Sequence, residues 1–269
     1  MNIVADQRHY RALFLSDLHL GTRGCQVDEL LHFLVTHNAD TIYLVGDIID
    51  GWRLESRWYW PDEHAAVLRV LLAKAERGSR LVYLPGNHDE FIRAYVGQTT
   101  AHVEFVEKIV HEAADGKRYL VVHGDCFDPV QDKARWLAFI GDHAYVAALA
   151  VNTFVNRLGR RIGLPYWSFS NWAKSRVKSV VNFMGHYEQE LVSAAREHEV
   201  DGVICGHIHR AALHEDFGLR YVNCGDWVES RTAAVEHLDG RMEILNWGNL
   251  TLPEAFEENL EGESENAIA

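Results

Sequence analysis

Five short apolar runs, each closing on a polar motif, constrain this chain more than any other feature. Ala12–Ser16 runs into Ser16-Asp17-Leu18-His19, and Thr41–Gly46 into Gly46-Asp47. Leu81–Gly86 leads to Gly86-Asn87-His88-Asp89, Tyr119–His123 to His123-Gly124-Asp125, and Gly202–Gly206 to Gly206-His207-Ile208-His209. Runs of this length, rich in β-branched residues, predict buried strands. Asp and His repeatedly ending such strands would be costly as isolated polar groups at a core edge, so the motifs are expected to meet and share a task.

Two segments with helical spacing separate the runs. Val27–His37 carries Leu30, Leu31, Leu34 and Val35, and Glu63–Arg77 carries Val67, Leu68, Leu71 and Leu72. Strand and helix in alternation predict a layered α/β fold. In such a fold the carboxyl ends of the strands share one edge, so motifs far apart in sequence can line one crevice. Leu219–Asn223, Thr232–His237 and Arg241–Trp247 follow at shorter spacing, with an Asp239-Gly240 turn between the last two. They predict antiparallel strands that complete a second sheet.

The expected organisation is a core of residues 1–131 and 199–252, a helical insertion at 132–198 and an acidic tail at 253–269. From Lys133 to Gly185 there are eight basic residues and one acidic residue, in a chain of net charge -13. That acidity argues against nucleic-acid binding, whereas the cationic insertion suits an anion site, a membrane surface or a solvated helix face. The tail holds six Glu and no Lys or Arg, too little apolar content to pack a core. Ala144–Val151 is the longest wholly apolar stretch, far below the roughly 20 residues that span a bilayer. Together with the lack of an export-signal pattern, this predicts a cytoplasmic protein. Cys25, Cys126, Cys205 and Cys224 form no C-x-x-C pair, so a zinc finger or dithiol centre is not indicated.

In D-x-H and H-x-H an extended backbone would point Asp17 with His19, and His207 with His209, into one cavity, leaving Leu18 and Ile208 to the core. Mixed carboxylate, amide and imidazole donors suit manganese, iron or zinc. The ordered set D-x-H, G-D, G-N-H-D, H-G-D and G-H-x-H resembles the calcineurin-like metallophosphoesterase superfamily over residues 12–247. The resemblance implies a sandwich of two mixed β-sheets flanked by helices, with a helical cap insertion. It also implies two divalent metal ions, with manganese expected and iron or zinc as alternatives. Asp17, His19 and His209 would hold one ion, Asn87, His123 and His207 the other, and Asp47 would bridge them. His88 would be the catalytic histidine, with Asp89 orienting it.

Within that superfamily, the order of segments is similar to the bacterial UDP-2,3-diacylglucosamine pyrophosphatases of lipid A synthesis. The shared features are Ser16-Asp17-Leu18-His19-Leu20, Asp47 followed by Ile-Ile-Asp-Gly-Trp, and an insertion after His123-Gly124-Asp125. This resemblance implies hydrolysis of a pyrophosphate bond to UMP and diacylglucosamine 1-phosphate, and peripheral contact with the inner membrane through the insertion. Asp128, Arg157, Arg160 and Arg161 are the expected substrate-binding residues, although the arginines could equally lie on a solvated face. Trp136, Phe139, Tyr145, Phe154, Trp167, Phe169, Trp172 and Phe183 supply apolar surface in the insertion, for acyl chains or for its own core. Two features depart from the pattern: His88 stands where that family has arginine, and Cys126-Phe127-Asp128-Pro129-Val130-Gln131 differs from the family's sequence after H-G-D. The alternatives are the same hydrolytic core acting on another phosphodiester, phosphomonoester or lipid phosphate, and a non-catalytic scaffold.

Overall fold

The computed structural model describes residues 8–100, 102–127 and 185–249. Asp128, Arg157, Arg160, Arg161, most of the insertion and the acidic tail lie outside the described residues.

Four strands, β1 (Arg8–Leu15), β2 (His37–Val45), β3 (Arg80–Leu84) and β4 (Val103–Phe105), run parallel. A second group comprises β5 (Ile109–Glu112), β6 (Arg118–Val121), β7 (Gly202–Cys205), β8 (Ala212–His214) and β9 (Arg220–Asn223). The last strands are β10 (Thr232–Glu236) and β11 (Met242–Asn246). Helices α1 (Val27–Thr36), α2 (Gly51–Ser56), α3 (Asp62–Glu76) and α4 (185–197) complete the described elements used below.

Strand order is β11-β10-β1-β2-β3-β4 in one sheet and β5-β6-β7-β9-β8 in the other. Both sheets are mixed, as expected, but their membership differs from the expectation for the C-terminal strands. Only β9 joins the second sheet, and it does so parallel to β7. The β10–β11 hairpin turns at Asp239-Gly240 as predicted, yet pairs antiparallel with β1 in the first sheet. A local pattern specifies a hairpin; which edge receives it depends on tertiary packing.

Period-two alternation assigns the strand residues to layers. In β1 to β3, Leu13, Leu15, Ile42, Leu44, Leu81 and Tyr83 pack beneath α1 and α3, against Leu30, Phe33, Val67 and Leu71. Their neighbours Phe14, Tyr43, Val45, Val82 and Leu84 face the other sheet, meeting Tyr119, Val121, Ile204 and Val222. On that sheet's far side, Leu120, Val203 and Cys205 pack against Tyr187, Leu191 and Ala195 of α4. The order is helix, sheet, sheet, helix. Because the inner strands of both sheets are buried on both faces, they read as continuous apolar runs. Their carboxyl ends are where polar residues can emerge.

Candidate metal centre

The loops after β1 and β2 continue the pairing of their strands. Asp17 N donates to Gly46 O (3.0 Å), His19 N to Asp47 O (2.9 Å), Leu20 N to Ile48 O (2.9 Å), and Asp50 N back to Leu20 O (2.8 Å). This zipper holds Asp17, His19, Asp47 and Asp50 along one lip. From the second sheet, Asn223 Nδ2 donates to Gly206 O (2.8 Å), and His207 N donates to Asp17 Oδ2 (2.9 Å). The carboxyl ends of the two sheets are thereby joined at the site.

The backbone of these motifs is not extended, contrary to expectation. Asp17 (φ 52°), His19 (φ 49°), Asp47 (φ 54°), His207 (φ 70°) and His209 (φ 52°) are all left-handed. The ordered strands stop at Leu15 and Cys205, so the ligand motifs are turns rather than strand ends. Such conformations cost of order 1–3 kcal/mol each unless surroundings hold them, and they concentrate at functional sites. Leu18 is nevertheless fully buried, as expected, while Ile208 is only partly so.

Gly46 (φ 78°) and Gly206 show why the flanking residues are small. A Cβ on Gly46 would collide with the His123 ring, and one on Gly206 with Asp17 and Ser16. Either side chain would push the facing ligand out of place.

Three groups of buried or half-buried donors converge. Asp17, His19 and His209 form one, Asp47, His123 and His207 a second, and His19, Asp47 and His88 a third between them. Asp17 Oδ1 lies 3.1 Å from His209 Nε2, and His19 Nε2 lies 3.2 Å from His209 Nε2. Asp47 Oδ2 is 3.6 Å from His123 Nε2, 3.8 Å from His88 Nε2 and 4.0 Å from His19 Nε2. One carboxylate oxygen thus faces three imidazoles. His123 Nδ1 donates to Val45 O at 2.8 Å, which turns Nε2 toward the centre.

A divalent ion suits this donor set. Asn87 Oδ1 and His123 Nε2 are buried without a hydrogen-bond partner, an arrangement that is expensive in a protein with nothing to ligate. Without an ion, charge is balanced by protons. Burial opposes ionisation of Asp17, but His209 overrides it and brings the carboxyl down to about 2. Burial likewise opposes ionisation of Asp47, and His123 holds it well below the usual carboxylate range. Although burial disfavours the imidazolium forms, Asp47 raises His123 to about 10 and Asp17 raises His209 to about 9. Cations replacing those protons would meet the same two carboxylates.

Asp89 takes a different place from the one expected. Its Oδ1 accepts from Gly86 N (2.5 Å), and its Oδ2 accepts from Ile48 N (2.8 Å) and Tyr83 OH (2.6 Å). It braces the loops that carry Asp47 and Asn87. The carboxylate beside the His88 ring is Asp50, with Oδ1 3.0 Å from His88 Nδ1 and Oδ2 3.1 Å from His19 Nδ1. Asp50 also caps α2, accepting from Arg53 N at 2.9 Å. Burial would raise its pKa, but bonds from His19 and His88 lower it. The sequence reading assigned Asp50 no role, because Asp-Gly before a helix reads as a turn and cap. Its signal was the spacing Asp47-Ile48-Ile49-Asp50, which returns a second acid to the same lip.

The calcineurin-like phosphoesterase family model matches residues 10–211. A UDP-2,3-diacylglucosamine hydrolase from Psychromonas ingrahamii is 28% identical over 235 residues, covering 81% of this chain and 89% of that protein. The protein of the same description from Shigella dysenteriae is 28% identical over 209 residues, covering 76% and 83%. Among solved structures, vacuolar protein sorting 29 from Cryptosporidium parvum aligns with a TM-score of 0.42 and 12% identity, over 87% of this chain and 94% of that one.

Proposed function

The chain belongs to the calcineurin-like phosphoesterase family, metal-dependent hydrolases of phosphoric ester or anhydride bonds, and on that premise we propose that it cleaves the pyrophosphate bond of a UDP-2,3-diacylglucosamine-like glycolipid. The observation that carries the reading is the convergence of Asp17, His19, Asp47, His88, His123, His207 and His209 in three overlapping donor groups. The similarity of relatives named for that substrate, along most of both chains, supports the choice.

In this reading Asp17, His19 and His209 hold one divalent ion, Asn87, His123 and His207 the other, and Asp47 is shared. Manganese is the proposed metal, because N/O donors without thiolate suit it, with iron and zinc as competitors. Bound there, the ions supply Lewis-acid charge to the phosphoryl oxygens and acidify water. The protein's own part is to hold the donors in place and to move a proton. His88 Nε2 faces Asp47 Oδ2, and its Nδ1 is held by Asp50, so the ring can deliver a proton from Nε2 to the departing oxygen. Asp89 serves as a brace for the loops. Asp128, Arg157, Arg160 and Arg161 remain proposed substrate contacts, and the insertion a proposed seat for acyl chains at the inner face of a membrane. None of the described helices is long and apolar enough to cross one.

His88 favours a second reading, hydrolysis of a different phosphodiester or lipid phosphate by the same centre. Arginine offers a permanent planar cation to a phosphate, whereas histidine can donate a proton and lose its charge. Purified manganese-loaded protein assayed on UDP-2,3-diacylglucosamine and on simple phosphodiesters decides between the two. UMP release is expected; turnover of the simple esters without UMP release would discard the glycolipid substrate and keep the hydrolase.

A further inference from the structure

Beside His88 lies a recess of about 300 Å³ lined by Gly51, Trp52, Glu55, His88, Glu90, Phe91 and Arg93. Trp52 lies against the His88 ring, with centroids 4.3 Å apart and planes 35° apart, and is still 41% exposed. Phe91 is 50% exposed. Gly51 lets these walls meet: its N donates to His88 O at 2.9 Å, and a Cβ there would sit 2.9 Å from both His88 O and the Phe91 ring. Two exposed aromatic surfaces therefore stand next to the group proposed to protonate the leaving oxygen.

The charges around the recess restrict what it can hold. Among the described residues Arg93 is the only Lys or Arg in the lining, and its guanidinium is engaged by Asp125 (2.8 Å) and Glu107 (3.2 Å). Glu55 and Glu90 are exposed and form no ion pair among the described residues. With no compensating cation among the described residues, these two carboxylates disfavour a second phosphate, and their hydration makes the recess a poor seat for an acyl chain. They are good acceptors for hydroxyl groups, and an exposed indole or phenyl face packs well on a ring.

We propose that this recess is a specificity subsite in which Trp52 and Phe91 seat an uncharged, hydroxyl-bearing ring of the substrate beside His88, and Glu55 and Glu90 accept its hydroxyl hydrogens. The inference rests on the phosphoester-hydrolase reading and adds which part of the substrate stands on the His88 side. Acyl chains and additional phosphates are directed elsewhere. A ribose and a hexose share the required chemistry.

The test compares kcat/KM on four substrates with manganese-loaded full-length protein. Bis(4-nitrophenyl) phosphate lacks ring hydroxyls; uridine 5′-(4-nitrophenyl phosphate) offers a ribose, glucose 1-(4-nitrophenyl phosphate) a hexose, and UDP-glucose both. Preference for one or more glycosyl substrates over bis(4-nitrophenyl) phosphate is expected, and the favoured arm tells ribose from hexose. In the Glu55→Gln/Glu90→Gln variant that preference should fall about tenfold, mainly through KM, as expected for lost charge-assisted hydrogen bonds. Both positions are exposed, and an unchanged melting temperature would establish that the variant is folded. No preference in the parent, or the same preference in the variant, would overturn the subsite. If none of the four is hydrolysed while UDP-2,3-diacylglucosamine is, the subsite is overturned; if that glycolipid is also left intact, the hydrolase reading beneath it falls instead.

Discussion

Asp50 Oδ1 lies 3.0 Å from His88 Nδ1, while the other oxygen of the same carboxylate lies 3.1 Å from His19 Nδ1. One buried acid therefore orients a proposed metal ligand and a proposed proton donor together. Partners of this kind usually contribute ten- to a hundredfold to activity or metal affinity. Asp50→Asn should lower kcat by about that factor with little change in KM, and should weaken retention of the ion bound by His19. Steady-state kinetics with metal analysis of the same samples checks both effects. A variant with parental kcat and metal content would remove Asp50 from the machinery.

Asp47 and His88 should separate metal binding from chemistry. Asp47 Oδ2 faces three imidazoles, so Asp47→Ala is expected to reduce occupancy at both sites and abolish turnover. His88→Ala should keep two metals per chain and slow the reaction about a hundredfold to ten-thousandfold, the usual contribution of a positioned proton donor. Elemental analysis of dialysed protein beside kcat distinguishes the two outcomes.

Metal removal should leave a distinctive pH signature. In the ion-free protein His123 and His209 are raised to about 10 and about 9 by Asp47 and Asp17 outweighing burial. A raised folded pKa stabilises fully below the unfolded value near 6.5, and that contribution is lost as pH rises through 9 and 10. The chelated protein should therefore lose thermal stability from pH 6.5 to 10, and the metal-loaded protein much less. Metal binding at pH 7 should also release protons. Calorimetry in two buffers of different ionisation enthalpy measures that release directly.

His37 predicts an acid limit that has nothing to do with the site. It stacks on Phe33 and Tyr10, and its Nδ1 can donate to Phe33 O at 3.1 Å. Burial lowers its pKa to about 4, against the opposing effect of that bond. The unfolded chain takes up a proton near 6.5 that the folded chain refuses, so stability should decline between pH 6.5 and 4 by about 3 kcal/mol. Denaturant titrations of the parent and of His37→Phe should show the slope in the first and a flatter response in the second.

How much of this was legible beforehand depends on the range of the interaction. The inner strands and helices α1 and α3 stand where apolar periodicity placed them, because burial on two faces writes itself into consecutive residues such as Ala12–Leu15. The edge strands β4, β5 and β8 did not, because their mostly half-buried residues leave no continuous apolar run. The choice of sheet for β10 and β11 is a tertiary decision that their own residues do not record. In the site, D-x-H mimics strand alternation while the backbone turns left-handed, so the motif residues converge, but not through the extended geometry that their spacing suggests. Asp50 stands beside the His88 ring, where Asp89 was expected, since only three-dimensional contact tells a cap that also orients a ring from a brace.

The left-handed backbone at Asp17, His19, Asp47, His207 and His209 acts as a filter on chemistry. Among residue types that can ligate a cation, Asp, Asn and His enter this region several-fold more readily than most others. Five of the proposed ligand positions thus admit a narrow vocabulary before any ion arrives. A drift toward glutamate or cysteine would have to reshape a loop as well as exchange a donor. Inheritance of the turn is inheritance of hard and borderline ligands, and through them of the kind of metal the centre can recruit.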